Sequence, residues 1–200
     1  LTQTQVILTQ PRPLEDYREA LHSNLEELQW MAQLVNDMLY LAKADHGLLM
    51  PSREALDLGD EVDALLEFFT LLAEDAQVTL VREGTAQTMG DRGMLRRALS
   101  NLLDNALRFT PPGGEVRVRI ESGVTLTVEN SGEGIPASLL PRLFDRFYRA
   151  DPSRRAGSSE HAGLGLAITQ SIVRAHGGRI YCESQAGWTR FVIELPEGDC

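Results

Sequence analysis

The chain has 200 residues, of which 42% are hydrophobic and 24% are charged, and its formal net charge is −10. This length allows one full domain with an appendage or two small domains, and the composition is that of an ordinary globular protein. The acidic balance argues against a nucleic-acid partner, and no stretch approaches the ~18 apolar residues of a membrane helix, so no membrane contact is expected.

The first predicted element is a long amphipathic helix that starts after Pro13 and continues to about Asp45. Because a small neighbouring domain cannot cover a helix of this length, it needs partner helices. The alternatives are a core helix of a larger fold and a helical hairpin that dimerises into a bundle, and we favour the hairpin. Residues 6–8 would then end the preceding helix. The apolar residues alternate at spacings of four and three, as in a coiled-coil seam: Leu21, Leu25, Leu28, Ala32, Val35, Leu39 and Ala42.

A linker over residues 47–55 is predicted to lead into a segment of mixed helices and strands over residues 56–200. Antiparallel hairpins mixed with helices favour an α+β fold, a two-layer α/β sandwich, over a doubly wound parallel sheet. The polar stretch 149–162 is predicted to be a loop. The predicted helices are 62–73, 91–109, 137–147 and 164–176, and the predicted strands are 78–81, 114–120, 124–128, 179–184 and 190–195.

Two asparagines on the helix 91–109 carry the strongest chemical signal. Asn101 and Asn105 are four residues apart, so both amides lie on one face of the helix, and Arg108 continues their stripe. Mg²⁺ takes only one or two protein oxygens besides phosphates and water, so an amide oxygen is an adequate ligand. The alternative is that these amides bond backbone carbonyls or face solvent. The pattern predicts an ATP site that holds Mg²⁺ with an amide.

A first glycine cluster over residues 130–136 directly follows a predicted strand. Gly132 and Gly134 would let the backbone approach a flat base, and Asn130 at the strand end would supply a polar contact. Ile135 and the proline after it then start the next segment. Glycines at this spacing also occur in turns without any ligand, so this cluster alone is weak evidence.

A second glycine cluster, Gly163 to Leu166, opens the last predicted helix. The N-terminal amides of such a helix can bind phosphate oxygens. Between the two clusters, Arg146 and Arg149 are predicted to be free cations that reach a γ-phosphate.

In this order, the motifs resemble the ATP-binding catalytic domain of sensor histidine kinases, within the Bergerat or GHKL superfamily. The residues 101–106 are similar to the N box, 130–134 to the first glycine box, 144–148 to the F box and 163–166 to the second glycine box. The resemblance covers nearly the whole chain, and residues 1–46 look like part of a dimerisation and phosphotransfer hairpin. The residues 128–130 and 140–149 are similar to the heavy-metal branch, which senses copper or silver.

The resemblance implies ATP and Mg²⁺ as cofactors, with Asn105 as the metal ligand. It implies transfer of the γ-phosphoryl group to a histidine for relay to a cognate response regulator, by a homodimer joined through the hairpin. The implied catalytic residues are Asn101, Arg108, Arg146 and Arg149. The implied nucleotide-binding residues are Asn101, Asn105, Arg108, Phe109, Asn130, Gly132, Gly134, Ile135, Gly163, Leu164, Gly165, Leu166 and Thr189.

The sequence also departs from the family pattern. Asn130 stands where these kinases usually have an aspartate that accepts a hydrogen bond from adenine, and His161 stands in the second glycine box. None of the histidines, His22, His46, His161 and His176, lies in a phosphoacceptor motif, so each is expected to be structural or exposed to solvent. The chain is therefore expected to begin just after that motif, in the cytoplasmic portion of a bacterial inner-membrane protein, and to bind ATP without phosphorylating itself.

Two other functions remain open. Related ATPases that work as conformational clamps place a glutamate where this chain has Asn101, and an amide cannot serve as a general base, which disfavours hydrolysis. A non-catalytic dimerisation or regulator-binding module with a degenerate nucleotide site is the third hypothesis. Asn130 and His161 give it some support.

Overall fold

The computed structural model describes residues 5, 7, 11–149 and 162–196. Most of the first ten residues, the predicted loop from 150 to 161 with His161, and residues 197–200 with Cys200 lie outside this description. Four α-helices are described: α1 (Leu14–Asp45), α2 (Leu58–Ala76), α3 (Arg92–Phe109) and α4 (Gly165–Ala175). The described strands are β1 (Glu54–Asp57), β2 (Thr79–Glu83), β3 (Gln87–Gly90), β4 (Glu115–Glu121), β5 (Thr125–Ser131), β6 (Arg179–Gln185) and β7 (Trp188–Glu194).

Five strands form the central sheet in the order β2-β4-β5-β7-β6, and β1 pairs separately with β3. The pair β2 and β4 is parallel, and the other neighbours in the large sheet are antiparallel. Successive side chains of a strand point to opposite faces of the sheet. On one face, Val116, Val118 and Ile120 of β4 are buried beneath the helices α2, α3 and α4. The predicted α+β two-layer sandwich is confirmed.

The outer face of the sheet is polar and organised around one carboxylate. Glu129 of β5 is 1% exposed and forms ion pairs with Arg117, Arg119 and Arg190 on the neighbouring strands. A buried carboxylate needs such partners, because burying an unpaired charge is strongly unfavourable. None of the described helices covers this face, which fits the alternation of apolar and charged residues along the central strands.

Helix α1 forms as predicted, but its apolar seam is uncovered. Leu25, Leu28 and Leu39 are 51%, 59% and 57% exposed, whereas Leu41 on another face is 2% exposed and joins the main core. The C-terminal part of α1 thus packs on the rest of the chain, and its seam faces solvent. In the described part of the chain, no helix is both long and apolar enough to cross a membrane.

The predicted helix at 137–147 is wrong. Only a single 3₁₀ turn, Leu140–Arg142, and further turns occupy this segment. Pro136 and Pro141 explain the difference, because proline lacks the N–H group that continues a helical hydrogen-bond ladder.

The structure also contains two strands that the sequence pattern did not predict, β1 and β3, and β1 begins inside the predicted linker. Helix α2 extends beyond the predicted 62–73 because Asp57 caps it, its carboxylate accepting hydrogen bonds from the N–H groups of Gly59 and Asp60.

Candidate functional site

Helix α3 is anchored at its first turn. Asp91 caps it, with Oδ1 accepting from the N–H of Met94 at 2.9 Å and Oδ2 from the N–H of Ser52 at 3.0 Å. The Asp91 N–H donates to Nε2 of His176 at 3.0 Å, and His176 Nδ1 lies 2.8 Å from the Ile172 carbonyl oxygen. This pattern describes a neutral imidazole that donates from Nδ1 and accepts at Nε2. The buried His176 is thus structural and ties the end of α4 to the start of α3.

Asn101 links α3 to the second glycine cluster. Its Nδ2 donates to the Gly165 carbonyl oxygen at 3.1 Å and lies 3.4 Å from Oγ1 of Thr169. Asn105, one turn further along α3, is half-buried, and no described residue hydrogen-bonds its amide. The sequence predicts that both side-chain amides contact the ligand. In the structure, the side-chain Nδ2 of Asn101 instead hydrogen-bonds the first turn of α4. The Oδ1 atoms of both residues have no hydrogen-bond partner among the described residues.

Positive charge gathers at the C-terminal end of α3. The Arg108 guanidinium lies 4.7 Å from the centre of the Phe109 ring. Desolvation lowers the pKa of Arg108, Asp104 opposes this shift, and the positive charge of Arg149 adds to it. Two arginines whose charges repel each other favour an anion near both, and the Phe109 ring, 46% exposed, lies beside Arg108.

Arg146 is not a free cation, so that prediction is wrong. Its Nη2 lies 2.5 Å from Oδ1 of Asp45 at the end of α1, and this hydrogen bond lowers the pKa of Asp45. The two residues are far apart in sequence, and they meet because the C-terminal end of α1 packs on the core formed by the rest of the chain. The phosphate contact predicted for Arg146 would therefore require this ion pair to open.

The first glycine cluster lies at the end of β5. Asn130 is 4% exposed and pairs in register with Thr189 of β7. Gly132 has a φ of 148°, and a Cβ atom there would lie 3.0 Å from the Phe109 carbonyl oxygen. Only glycine tolerates this conformation and close approach. Gly134, which is exposed, follows it and precedes Ile135.

Ser184 of β6 holds this cluster in place, and sequence reasoning missed it. Its Oγ accepts from the Ile135 N–H at 2.8 Å and lies 3.1 Å from Oγ1 of Thr189, which is buried. A serine in a strand carries no sequence signal for such a role, because its partner is 49 residues away.

The second glycine cluster begins at a tight contact. Gly163 has a φ of 71°, and its carbonyl oxygen accepts from the Phe147 N–H at 3.0 Å. Leu164 is 2% exposed and Leu166 is partly buried against the core, so only their main chain is offered to a ligand. Gly165 then starts α4 beside Asn101.

The two glycine clusters therefore meet α3 at two points. The second cluster contacts Asn101, and the first contacts the main chain at Phe109. These residues are eight positions apart, or about 12 Å along a helix, and Asn105 lies midway between them. Asn101 thus lies at the second cluster, and Arg108 lies beside Phe109 at the first cluster. This arrangement suits an elongated ligand with a flat part and an anionic part.

Comparison with known proteins shows the family to which this chain belongs. Residues 90–199, more than half of the chain, match the family described as histidine kinase-, DNA gyrase B- and HSP90-like ATPases. Sensor histidine kinase CusS of Escherichia coli O157:H7 is 52% identical over 98% of this chain and 42% of its own length. The chain thus spans less than half of this relative.

Solved structures agree with the sequence match. The mycobacterial sensor histidine kinase MprB is 33% identical with a TM-score of 0.60, over 72% of this chain and 97% of that chain. Full-length ShkA in complex with AMPPNP has the same fold, with a TM-score of 0.80 at 24% identity, over 94% of this chain and 40% of that chain. The chain therefore belongs to the family of histidine kinase-, DNA gyrase B- and HSP90-like ATPases, and it carries the ATP-binding catalytic domain of a sensor histidine kinase.

Proposed function

We propose that this chain binds Mg-ATP along α3 and presents its γ-phosphoryl group to a histidine of a helical hairpin. The contact of both glycine clusters with α3, on either side of Asn105, is the observation that carries the proposal. The base would lie near Asn130 and Gly132, and the phosphates would extend along α3 toward the start of α4, where helix N–H groups stabilise negative charge.

Asn105 Oδ1 fits a metal ligand, because it is half-buried and no described residue bonds it. Mg²⁺ bound there would neutralise phosphate charge, with Asn101 Oδ1 beside it. Arg108 and Arg149, which lie at the Phe109 end of α3, would contact the phosphate oxygens nearest the base. Asn101 has no basic atom with which to activate water, and its N–H is already bonded to Gly165, so this chain's residues favour transfer over hydrolysis.

The remaining parts of the proposal concern the longer protein. We infer a hairpin domain over residues 1–46, a linker over 47–55 and the catalytic domain over 56–200, with dimerisation through the exposed seam of α1. The response regulator is the proposed phosphoryl acceptor of the whole kinase, and histidine kinase ThkA is known in complex with such a protein, TrrA. The similarity to CusS, PcoS and SilS supports the heavy-metal branch and the cytoplasmic portion of a bacterial inner-membrane protein.

Calorimetric titration with Mg-ATP tests the nucleotide site. Asn105→Ala should abolish magnesium-dependent binding, whereas Asn36→Ala, on an exposed position of α1, should leave it unchanged. Absence of any affinity in the unmodified chain would remove the kinase function and favour a non-catalytic module.

Phosphoryl transfer requires a second experiment. The chain is mixed with a hairpin that carries a phosphoacceptor histidine and with ATP radiolabelled at the γ position. Labelling of that histidine supports transfer, and release of free phosphate without labelling favours the ATPase alternative.

A further inference from the structure

The base-binding end of the proposed ATP site is built around one uncharged polar side chain. Asn130 is 4% exposed and lies on the helix-facing side of β5, as shown by the burial of Leu126 and Val128 at alternate positions. Its Nδ2 lies 4.0 Å from the place where a Cβ of Gly132 would stand. The amide therefore borders the space that this glycine leaves open.

A single hydrogen bond orients this amide. Nδ2 donates to the carbonyl oxygen of the adjacent Ser131 at 3.3 Å, and none of the described residues hydrogen-bonds Oδ1. The nearby hydroxyl groups of Ser184 and Thr189 bond each other and the N–H of Ile135, and neither bonds the amide. Among the described residues, rotation of the amide by 180° breaks only this long, uncharged hydrogen bond, and it brings Oδ1 to the Ser131 carbonyl oxygen.

The two orientations of a primary amide match two kinds of purine. Adenine offers a donor at its 6-amino group and an acceptor at N1, whereas a 6-oxopurine offers an acceptor at O6 and a donor at N1. An amide has one donor group and one acceptor, so it can face either edge after rotation. An ionised carboxylate has only acceptors, so an aspartate would leave O6 facing an oxygen atom.

Resting on the ATP site proposed above, we propose that Asn130 lets this site take 6-oxopurine nucleoside triphosphates as well as ATP. A site with a fixed polar group rejects a mismatched analogue by ~10⁴ or more, because a buried group is left unpaired. Here the amide can turn. The cost of turning it is the loss of the bond to Ser131 and the approach of Oδ1 to the Ser131 carbonyl oxygen, and we expect this cost to hold the preference for ATP to about tenfold or less.

Titration of the chain with Mg-ATP and with Mg-ITP tests this proposal, because the two nucleotides differ only at position 6 and in the protonation of N1. The two dissociation constants should agree to within about tenfold. Asn130→Asp, a replacement of equal size, should raise the preference for ATP by at least a further tenfold, and circular dichroism checks that it is folded.

A preference of the unmodified chain for ATP above about tenfold overturns the proposal, whether or not the variant folds. An unchanged preference in a folded Asn130→Asp variant overturns it too, because Asn130 would then not read the base. Binding of neither nucleotide to the folded, unmodified chain would instead remove the proposed ATP site itself.

Discussion

Burial raises the pKa of the Cys182 thiol to about 12, and the carboxylate of Glu183 adds to the effect. Only about one thiol in ten thousand is then ionised at pH 8, and the thiolate is the form that reacts and binds soft metal ions. In a Cys200→Ser variant, Cys182 should react with Ellman's reagent at pH 8 far more slowly in the native state than after unfolding in urea. Equal rates in both states would show that the thiol is accessible and ionised.

Ser184 gives a prediction about nucleotide affinity. Ser184→Ala removes the acceptor for the Ile135 N–H and should weaken Mg-ATP binding by about tenfold, the value of one hydrogen bond, because the glycine cluster is no longer held in its binding conformation. The effect should exceed that of Ser171→Ala, whose hydroxyl bonds only within α4. Ser184→Thr should restore affinity, and an equal loss in all three variants would contradict the positioning role.

At the scale of elements, the cap of α3 predicts an acid-dependent stability. Hydrogen bonds from Met94 and Ser52 lower the pKa of Asp91. A carboxylate with a lowered pKa stabilises the fold above its ordinary pKa, and this contribution disappears as the pH falls through the lowered value. Asp91→Asn should therefore reduce the loss of stability that occurs as the pH falls below about 4, measured by urea unfolding at each pH.

The variant Asp91→Ala distinguishes the stabilisation by helix capping from the stabilisation by the negative charge of Asp91. Asparagine caps a helix about as well as aspartate, whereas alanine loses about 1 kcal/mol of stability at neutral pH. A variant Asp91→Asn that unfolds in acid as the unmodified chain does would show that another carboxylate controls the transition.

Local patterns were sufficient for the long elements and insufficient for short or proline-containing ones. Helix α3 was predicted because its cap Asp91 and its apolar stripe lie within one segment. Strands β1 and β3 have four residues each and pair only with each other, so neither carries a period of its own. The segment 137–147 has helix-like apolar residues, but its prolines stop the ladder after one 3₁₀ turn.

In the candidate site, too, features within one segment could be predicted from the sequence, whereas contacts between distant residues could not. Asn101, Asn105 and the glycines could be predicted as candidates because their spacing is local. The ion pair of Arg146 with Asp45 and the support of Ile135 by Ser184 join residues distant in sequence. Nothing in the sequence around one partner indicates the other. Only the fold could show that Arg146 is ion-paired with Asp45 and that Ser184 hydrogen-bonds the Ile135 N–H.

At the scale of the whole molecule, the uncovered seam of α1 predicts self-association. Leu25 and Leu28 are each more than half exposed, so a second helix can bury them. Leu28→Glu should lower the dimer fraction measured by light scattering after size exclusion, and Gln29→Glu, which adds the same charge beside the seam, should not. Equal masses for all three chains over a range of concentrations would contradict a dimer through α1.

The contact between α1 and the catalytic domain contains a buried hydroxyl group without a hydrogen-bond partner among the described residues, and this weakens the contact. Arg97 of α3 bonds Asp37 at 2.5 Å and lies 4.3 Å from the Tyr40 ring centre, but the buried Tyr40 hydroxyl has no partner among the described residues. An unsatisfied buried hydroxyl costs about 1–3 kcal/mol. That penalty is relieved when water reaches the hydroxyl, so the helix and the catalytic part separate more readily here than their ion pairs suggest, and separation also frees Arg146.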